Sequence, residues 1–289
     1  MTRARKLREL LAGDRIVTAP GAYDAWSARM VEAAGFPAVY VTGYGVSASV
    51  LGAPDIGLIS FAEMLTAVRN VCNATAVPVI ADADNGYGGA LNVVRTVREY
   101  EAAGAAAIQL EDQVMPKRCG HMEGKQLIPQ DEMVAKIRAA VYARRDPDTV
   151  IIARTDAVAV NGYDDAIRRA VAYREAGADV IFVEALQSRS QIESAARLVG
   201  APLMANMVEH GKTPLDTAEN LYRMGFRIAI YPVVLLYSAT RAMQEVLATL
   251  KDAGDLTACM DREVDFPTFN GMIGLQGYRD LEKGFLQGE

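Results

Sequence analysis

Short β-branched runs alternate with longer amphipathic stretches along most of the chain. Eight runs have strand character, at 16–20, 38–42, 77–81, 106–110, 149–153, 179–183, 202–205 and 227–231, and between them helical patterns cover 61–74, 91–103, 131–143, 163–176 and 188–199. Strands separated by helix-length segments predict parallel pairing, because parallel neighbours need a long crossover. Glu-Ala-Ala-Gly at 32–35 and 101–104 and Glu-Ala-Gly-Ala at 175–178 place glycine where a helix must reverse into the next strand. Eight such units predict an α/β fold, a (β/α)8 barrel over residues 1–250, followed by a helical tail over 251–289. The basic first eleven residues read as the first helix, since they lack the apolar core of a signal peptide. Trp26 and Met30 are expected on the barrel-facing side of a helix.

Barrels of this kind carry their reactive groups at the C-terminal ends of the strands. The apolar runs end in Asp82-Ala83-Asp84, Glu111-Asp112-Gln113, Arg154-Thr155-Asp156, Glu184 and Asn206. Solvated loops explain any one of these positions but explain the whole ring poorly. Asp82 and Asp84, two residues apart on a strand, would point the same way and share one hard cation, with Glu111 reaching it from the next strand. Mg2+ or Mn2+ suits such oxygen donors. Zinc is disfavoured, because His121 and His210 are the only histidines and no Cys/His spacing resembles a zinc site. The competing reading makes Asp82 and Asp84 helix caps or ion-pair partners. Lys117-Arg118-Cys119-Gly120-His121 sets a thiol among cations, which stabilise a thiolate and make Cys119 a candidate for proton exchange near neutral pH.

Composition narrows the class of partner. The chain is 51% hydrophobic and 23% charged with a net charge of -6. That balance suits a globular protein with ample core and disfavours a nucleic-acid or anionic-membrane surface, both of which need concentrated positive charge. No run approaches the length of a membrane span. Cys72, Cys119 and Cys259 are too few and too scattered for a disulfide framework, so free thiols and a cytoplasmic setting are expected, with Cys72 in a helix core. Gly86-Tyr87-Gly88-Gly89 lacks the spacing of a dinucleotide turn. A Schiff-base enzyme would need a lysine at a strand end, whereas Lys117, Lys125 and Lys212 fall in loops. Small-molecule chemistry is the expected class, and a non-catalytic binding or scaffold barrel is the reading it displaces.

Several motifs together carry a resemblance: Ala19-Pro-Gly-Ala-Tyr-Asp24, Val41-Thr-Gly-Tyr-Gly45, Ala53-Pro-Asp-Ile-Gly57, Asp82-Ala-Asp84, Leu110-Glu-Asp-Gln113, the Cys119 pentapeptide, Ala153-Arg-Thr-Asp156, Asn206-Met-Val-Glu209 and Tyr231-Pro232. In these the chain resembles the isocitrate lyase and phosphoenolpyruvate mutase superfamily, within it the methylisocitrate lyase and dimethylmalate lyase branch. The resemblance implies a magnesium-dependent barrel, usually a homotetramer, in which the terminal helical element, here 251–289, is exchanged with a neighbouring subunit. It also implies cleavage of a 2-hydroxy acid to a 2-oxo acid and a simple carboxylate. Arg154 would clamp a carboxylate, and Glu184 would orient the hydroxyl portion. Thr42, Gly43 and Tyr44 would offer donors, with Gly120 and Asn206 also at the substrate. Cys119, flanked by Arg118 and His121, would protonate the departing enediolate, and the segment 116–129 would close over the site.

Substrate choice is where the sequence departs from methylisocitrate lyases. They carry an arginine after the Tyr-Pro pair where this chain has Tyr237, and a second family arginine falls near Phe266. An unpaired buried carboxylate is costly, so losing two cations disfavours a tricarboxylate, although Arg241, one helical turn on, could substitute. The expected substrate is a dicarboxylate like 2,3-dimethylmalate, giving pyruvate and propionate. Methylisocitrate cleavage, carboxyphosphonoenolpyruvate or other phosphonate mutation, and oxaloacetate hydrolysis are the alternatives within the superfamily. Beyond strand seven, Glu209 is a better candidate for substrate contact than His210.

Overall fold

Eight parallel strands close into a barrel in the computed structural model, which describes residues 1–120, 122–209 and 211–287. The strands are β1 (Val17–Ala22), β2 (Val39–Val41), β3 (Val79–Asp82), β4 (Ala107–Glu111), β5 (Val150–Thr155), β6 (Val180–Val183), β7 (Leu203–Asn206) and β8 (Phe226–Tyr231). Each pairs with its sequence neighbour, and β8 closes on β1 with Val17 opposite Ile228. The expected runs and observed strands agree to within a few residues, as do the five long helical patterns; the helix Phe61–Ala74 matches at both ends. Gly35, Gly104 and Gly177 all have positive φ just beyond a helix, the conformation their position requires.

Side-chain alternation sorts the strand residues into two cores. Val150 and Ile152 of β5 belong to an interior cluster with Val17, Ile80, Phe182, Met204 and Ile228. Ile151 and Ala153 belong instead to the larger cluster under the helices, as the two-residue period of a strand demands. Leu7, from the helix Arg3–Leu11, is fully buried in the interior cluster and fills one end of the barrel. Cys72 lies in the outer core, as expected, and burial pushes its thiol up to about 11.

Two expectations change. The helix Ala25–Ala33 buries Ser27, Ala28 and Val31, and Trp26 and Met30 flank that face half-buried; the small side chains let the helix approach closely. By internal contacts the chain divides into Met1–Tyr237 and Ser238–Glu289, earlier than the expected boundary at 250. The division falls inside the helix Val234–Ala253, whose unbroken sequence hides it. The second unit contains the helices Phe266–Met272 and Leu275–Gln287, with Phe266, Tyr278, Phe285 and Leu286 exposed. No helix among the described residues is long and apolar enough to cross a membrane.

Candidate active site

The interior alternation continues past the apolar layer and turns polar. Two residues beyond Tyr40, Ile80, Ile152, Phe182 and Met204 come Thr42, Asp82, Arg154, Glu184 and Asn206, and Glu111 holds the same parity on β4 after Ala107 and Gln109. All six line one cavity of about 350 Å³ at the C-terminal mouth of the barrel. Backbone alternation alone therefore turns these side chains inward. Tyr44, Cys119, Gly120 and Tyr237 line the same cavity. Gly43 packs beside it, where a Cβ would sit 3.0 Å from Asp82 Oδ2. His121, expected beside Cys119, and His210 lie outside the described residues.

Arg154 is the hub of the ring. Its Nε and Nη2 donate to Asp156 Oδ2 and Oδ1 at 2.9 and 3.1 Å, its Nε lies 3.4 Å from Glu111 Oε2, and its Nη2 lies 3.3 Å from Glu184 Oε2. The bidentate clamp expected for a substrate carboxylate is thus made to Asp156, because that residue follows two positions on and shares the buried layer. Burial alone would raise the Asp156 carboxyl, but Arg154 and Lys125 outweigh it and bring it down to about 2. Asn206 Nδ2 donates to Glu184 Oε2 at 3.1 Å, and Asn206 Oδ1 is buried without a hydrogen bond among the described residues.

Asp84 is not on the strand. It follows β3 in a left-handed conformation, φ 46°, with its N–H donating to Asp82 Oδ1 at 3.0 Å, so the two carboxylates are brought near by a turn rather than by strand alternation. Lys117 Nζ lies 2.6 Å from Asp84 Oδ1 and 2.6 Å from Asp55 Oδ1, with all three residues buried. The ion-pair reading of Asp84 holds here, and Asp55 is a partner that sequence reasoning missed. Its only signal was its place in Ala53-Pro-Asp-Ile-Gly57.

The acidic set suits a hard divalent cation by donor type. Glu111 Oε1 is buried without a hydrogen bond among the described residues, and burial pushes the Glu111 carboxyl well above its usual range despite Arg154. Burial and then the neighbouring Asp84 push Asp82 up to about 6. Carboxylates short of positive charge are what a bound cation satisfies. Among the described residues no three acidic, histidine or cysteine side chains converge at ligand spacing; Lys117 lies among the acids and Arg154 lies against Glu111.

The segment bearing Cys119 is tied down at several of its described residues. Gln113 exchanges hydrogen bonds with the backbone of Arg118, Cys119 N–H donates to Asp55 O at 3.1 Å, and Gln113 bridges to Leu127. Lys125, in a loop as expected but buried, donates to Gly120 O and to Asp156 Oδ1. Gly120 has no room for a side chain, since a Cβ would lie 2.6 Å from Arg154 Nη2 and 2.9 Å from Glu184 Oε2. At the other side of the cavity Tyr237 OH donates to Tyr44 OH at 3.4 Å, their rings edge to face at 6.3 Å. Burial, followed by Tyr44, Cys119 and Glu209, raises the Tyr237 phenol. Arg241 is paired with Glu245 at 2.6 Å and three-quarters exposed.

The chain is 48% identical over 288 residues to the 2,3-dimethylmalate lyase of Eubacterium barkeri, covering 100% of both chains. It is 47% identical over 277 residues to a 2-methylisocitrate lyase of Aeropyrum pernix, covering 96% of this chain and 88% of that protein. Among solved structures it superimposes on phosphonopyruvate hydrolase in complex with oxalate and Mg++ with a TM-score of 0.90 and 32% identity, covering 99% of this chain and 100% of the other. The phosphoenolpyruvate phosphomutase family model matches residues 7–251, and the chain belongs to that family, within the phosphoenolpyruvate mutase/isocitrate lyase superfamily.

Proposed function

We propose that this protein is a Mg2+-dependent carbon-carbon lyase that cleaves a 2-hydroxy dicarboxylate of the 2,3-dimethylmalate type to pyruvate and propionate. The observation that carries the reading is the position of Cys119, which lines the same cavity as Arg154, Glu184, Asn206 and the inward carboxylates. In the forward reaction the C2–C3 bond breaks, the 2-hydroxyl passes its proton to the Glu184 carboxylate as pyruvate forms, and the Cys119 thiol gives its proton to C3 of the departing propionate enediolate. The thiolate regains the proton held by Glu184 through water once the products leave. Arg154 faces the substrate carboxylate on C2, Glu184 and Asn206 orient the 2-hydroxyl, and Thr42, Gly43, Tyr44 and Gly120 bound the site and help exclude water. Asp82, Asp84 and Glu111 would hold the cation, Mn2+ serving in place of Mg2+. Bound there, the cation supplies Lewis-acid polarisation of the 2-oxygen.

Substrate class rests on Tyr237 and Tyr44, which put phenols where a triacid would need a cation. Arg118 also lines the cavity and favours methylisocitrate as a second reading. With Mg2+ present, pyruvate release measured by a coupled assay should favour 2,3-dimethylmalate over methylisocitrate by roughly tenfold or more in kcat/KM, the scale of one mismatched group. The reverse ranking would overturn the dicarboxylate assignment.

The exposed apolar residues of the second unit support assembly as a homotetramer with that unit packed on a neighbouring subunit. Light scattering should then give about four times the 31.1 kDa chain mass; a monomer would remove this part of the proposal.

A further inference from the structure

Lys125 joins the two halves of the proposed chemistry. Its side chain is 2% exposed, its ammonium lies 2.9 Å from Asp156 Oδ1, and it also donates to the carbonyl of Gly120, the residue after Cys119. The same Asp156 carboxylate accepts both hydrogen bonds from Arg154. One ammonium therefore links the peptide beside the thiol to the carboxylate that holds the guanidinium.

The barrel does not need this link to place Asp156. Asp112, fully buried, accepts from Asp156 N–H at 3.0 Å, from Thr155 Oγ1 at 2.8 Å and from Tyr173 OH at 2.7 Å. The far end of the segment is fastened separately: Ile128 N–H donates to Asp112 O, and Arg169 Nη1 donates to Ile128 O at 3.0 Å. The backbone of Asp156 is fixed from behind, while its carboxylate is divided between a cation from the segment and a cation of the site. With Lys125 withdrawn, Arg154 would have Asp156 to itself and bind it more tightly, at the expense of a substrate carboxylate.

We propose that Lys125 is a positioning residue that couples the seating of the Cys119 segment to the alignment of Arg154. The proposal rests on the reading of Cys119 and Arg154 as groups that meet the substrate. Gly120 fits the same coupling, since its backbone lies directly against Arg154 and Glu184 when the segment is seated.

The test is Lys125→Gln, a neutral side chain too short to span both partners, read by alkylation of the ligand-free full chain with iodoacetamide and peptide mass spectrometry. Cys119 should be labelled about tenfold faster or more than in the wild type, the scale of a lost hydrogen bond to a charged group. Cys72, fully buried in the outer core under the helices, should keep its wild-type rate and so reports unfolding. The Lys125→Arg variant, which restores charge and multiple donors, should bring the Cys119 rate back toward wild type. Asp156→Asn removes the partner charge, should expose Cys119 in the same way, and decides the matter if Lys125→Gln does not fold. Wild-type labelling of Cys119, or acceleration of Cys119 and Cys72 together, would overturn the coupling. Because labelling needs no substrate, a failure of the lyase assignment would show only in the pyruvate assay, where Lys125→Gln should otherwise raise KM through Arg154 and lower kcat through the unseated Cys119.

Discussion

Cys119→Ser should lower pyruvate release from 2,3-dimethylmalate by about 10²–10⁴-fold, the usual contribution of a positioned acid or base, while leaving oxalate affinity almost unchanged. Serine preserves the size of the side chain and the backbone hydrogen bond from residue 119 to Asp55 O, so the seated segment has no reason to shift. What changes is acidity: an aliphatic alcohol neither yields a proton near neutral pH nor persists as the anion, whereas a thiol does both. The departing enediolate then waits for water in a cavity bounded by Gly120 and Arg154. Oxalate, which mimics a planar 2-oxo acid and is bound with Mg++ by the related phosphonopyruvate hydrolase, would on the proposed reading meet the carboxylate and Arg154 end, and its affinity should not depend on the thiol. Stopped-flow pyruvate detection and calorimetric oxalate titration read the two quantities separately. Full turnover in the serine variant would take the thiol out of the mechanism, and loss of oxalate binding alongside turnover would make Cys119 a structural residue.

The parts of the site that could be read from sequence are those governed by strand alternation. Once 77–81, 149–153 and 179–183 are taken as strands, the residues just past them fall at the barrel mouth, and Asp82, Arg154 and Glu184 are there. Glycine endings fixed the phase of the helices because Gly35, Gly104 and Gly177 occupy backbone conformations that other residues resist. Loop residues obey no such period. Lys117 and Lys125 look like ordinary solvent lysines in a polar stretch, yet both are buried, since each meets a carboxylate from a distant part of the chain. Asp55 was hidden for the same reason: its partner comes from a loop sixty-odd residues on. Asp84 misled the strand argument because a single left-handed residue breaks the alternation, a conformation that Asp tolerates just before the Asn85-Gly86 turn and that the strand pattern overlooked. The division at Tyr237 was invisible because a helix carries the chain through it without a break.

Lys117→Met is the substitution that separates the acid cluster's stability from its chemistry. Burial by itself would lower the Lys117 ammonium, but Asp84 and Asp55 outweigh it and hold it well above the usual lysine range, so the lysine is charged in the folded protein. Methionine fills much of the same volume and leaves Asp55 and Asp84 facing one another with Asp82 close by. Removing one partner of a buried pair costs about 3–5 kcal/mol, which for a barrel of this size lowers Tm by about 6–20 °C. The prediction applies to protein in EDTA, followed by differential scanning fluorimetry. Added Mg2+ should then raise the Tm of the variant more than that of the wild type, because a cation arriving at the cluster no longer meets the repulsion of a resident ammonium and stabilises the fold by its tighter binding. Manganese should do the same, and sodium at matched ionic strength should not, since screening acts weakly on buried charges. An unchanged Tm in EDTA would mean that the contacts of Lys117 with Asp55 and Asp84 do not support the fold. A Tm lowered equally with and without Mg2+ would mean that the cation binds elsewhere, and Asp82, Asp84 and Glu111 would lose their assigned role.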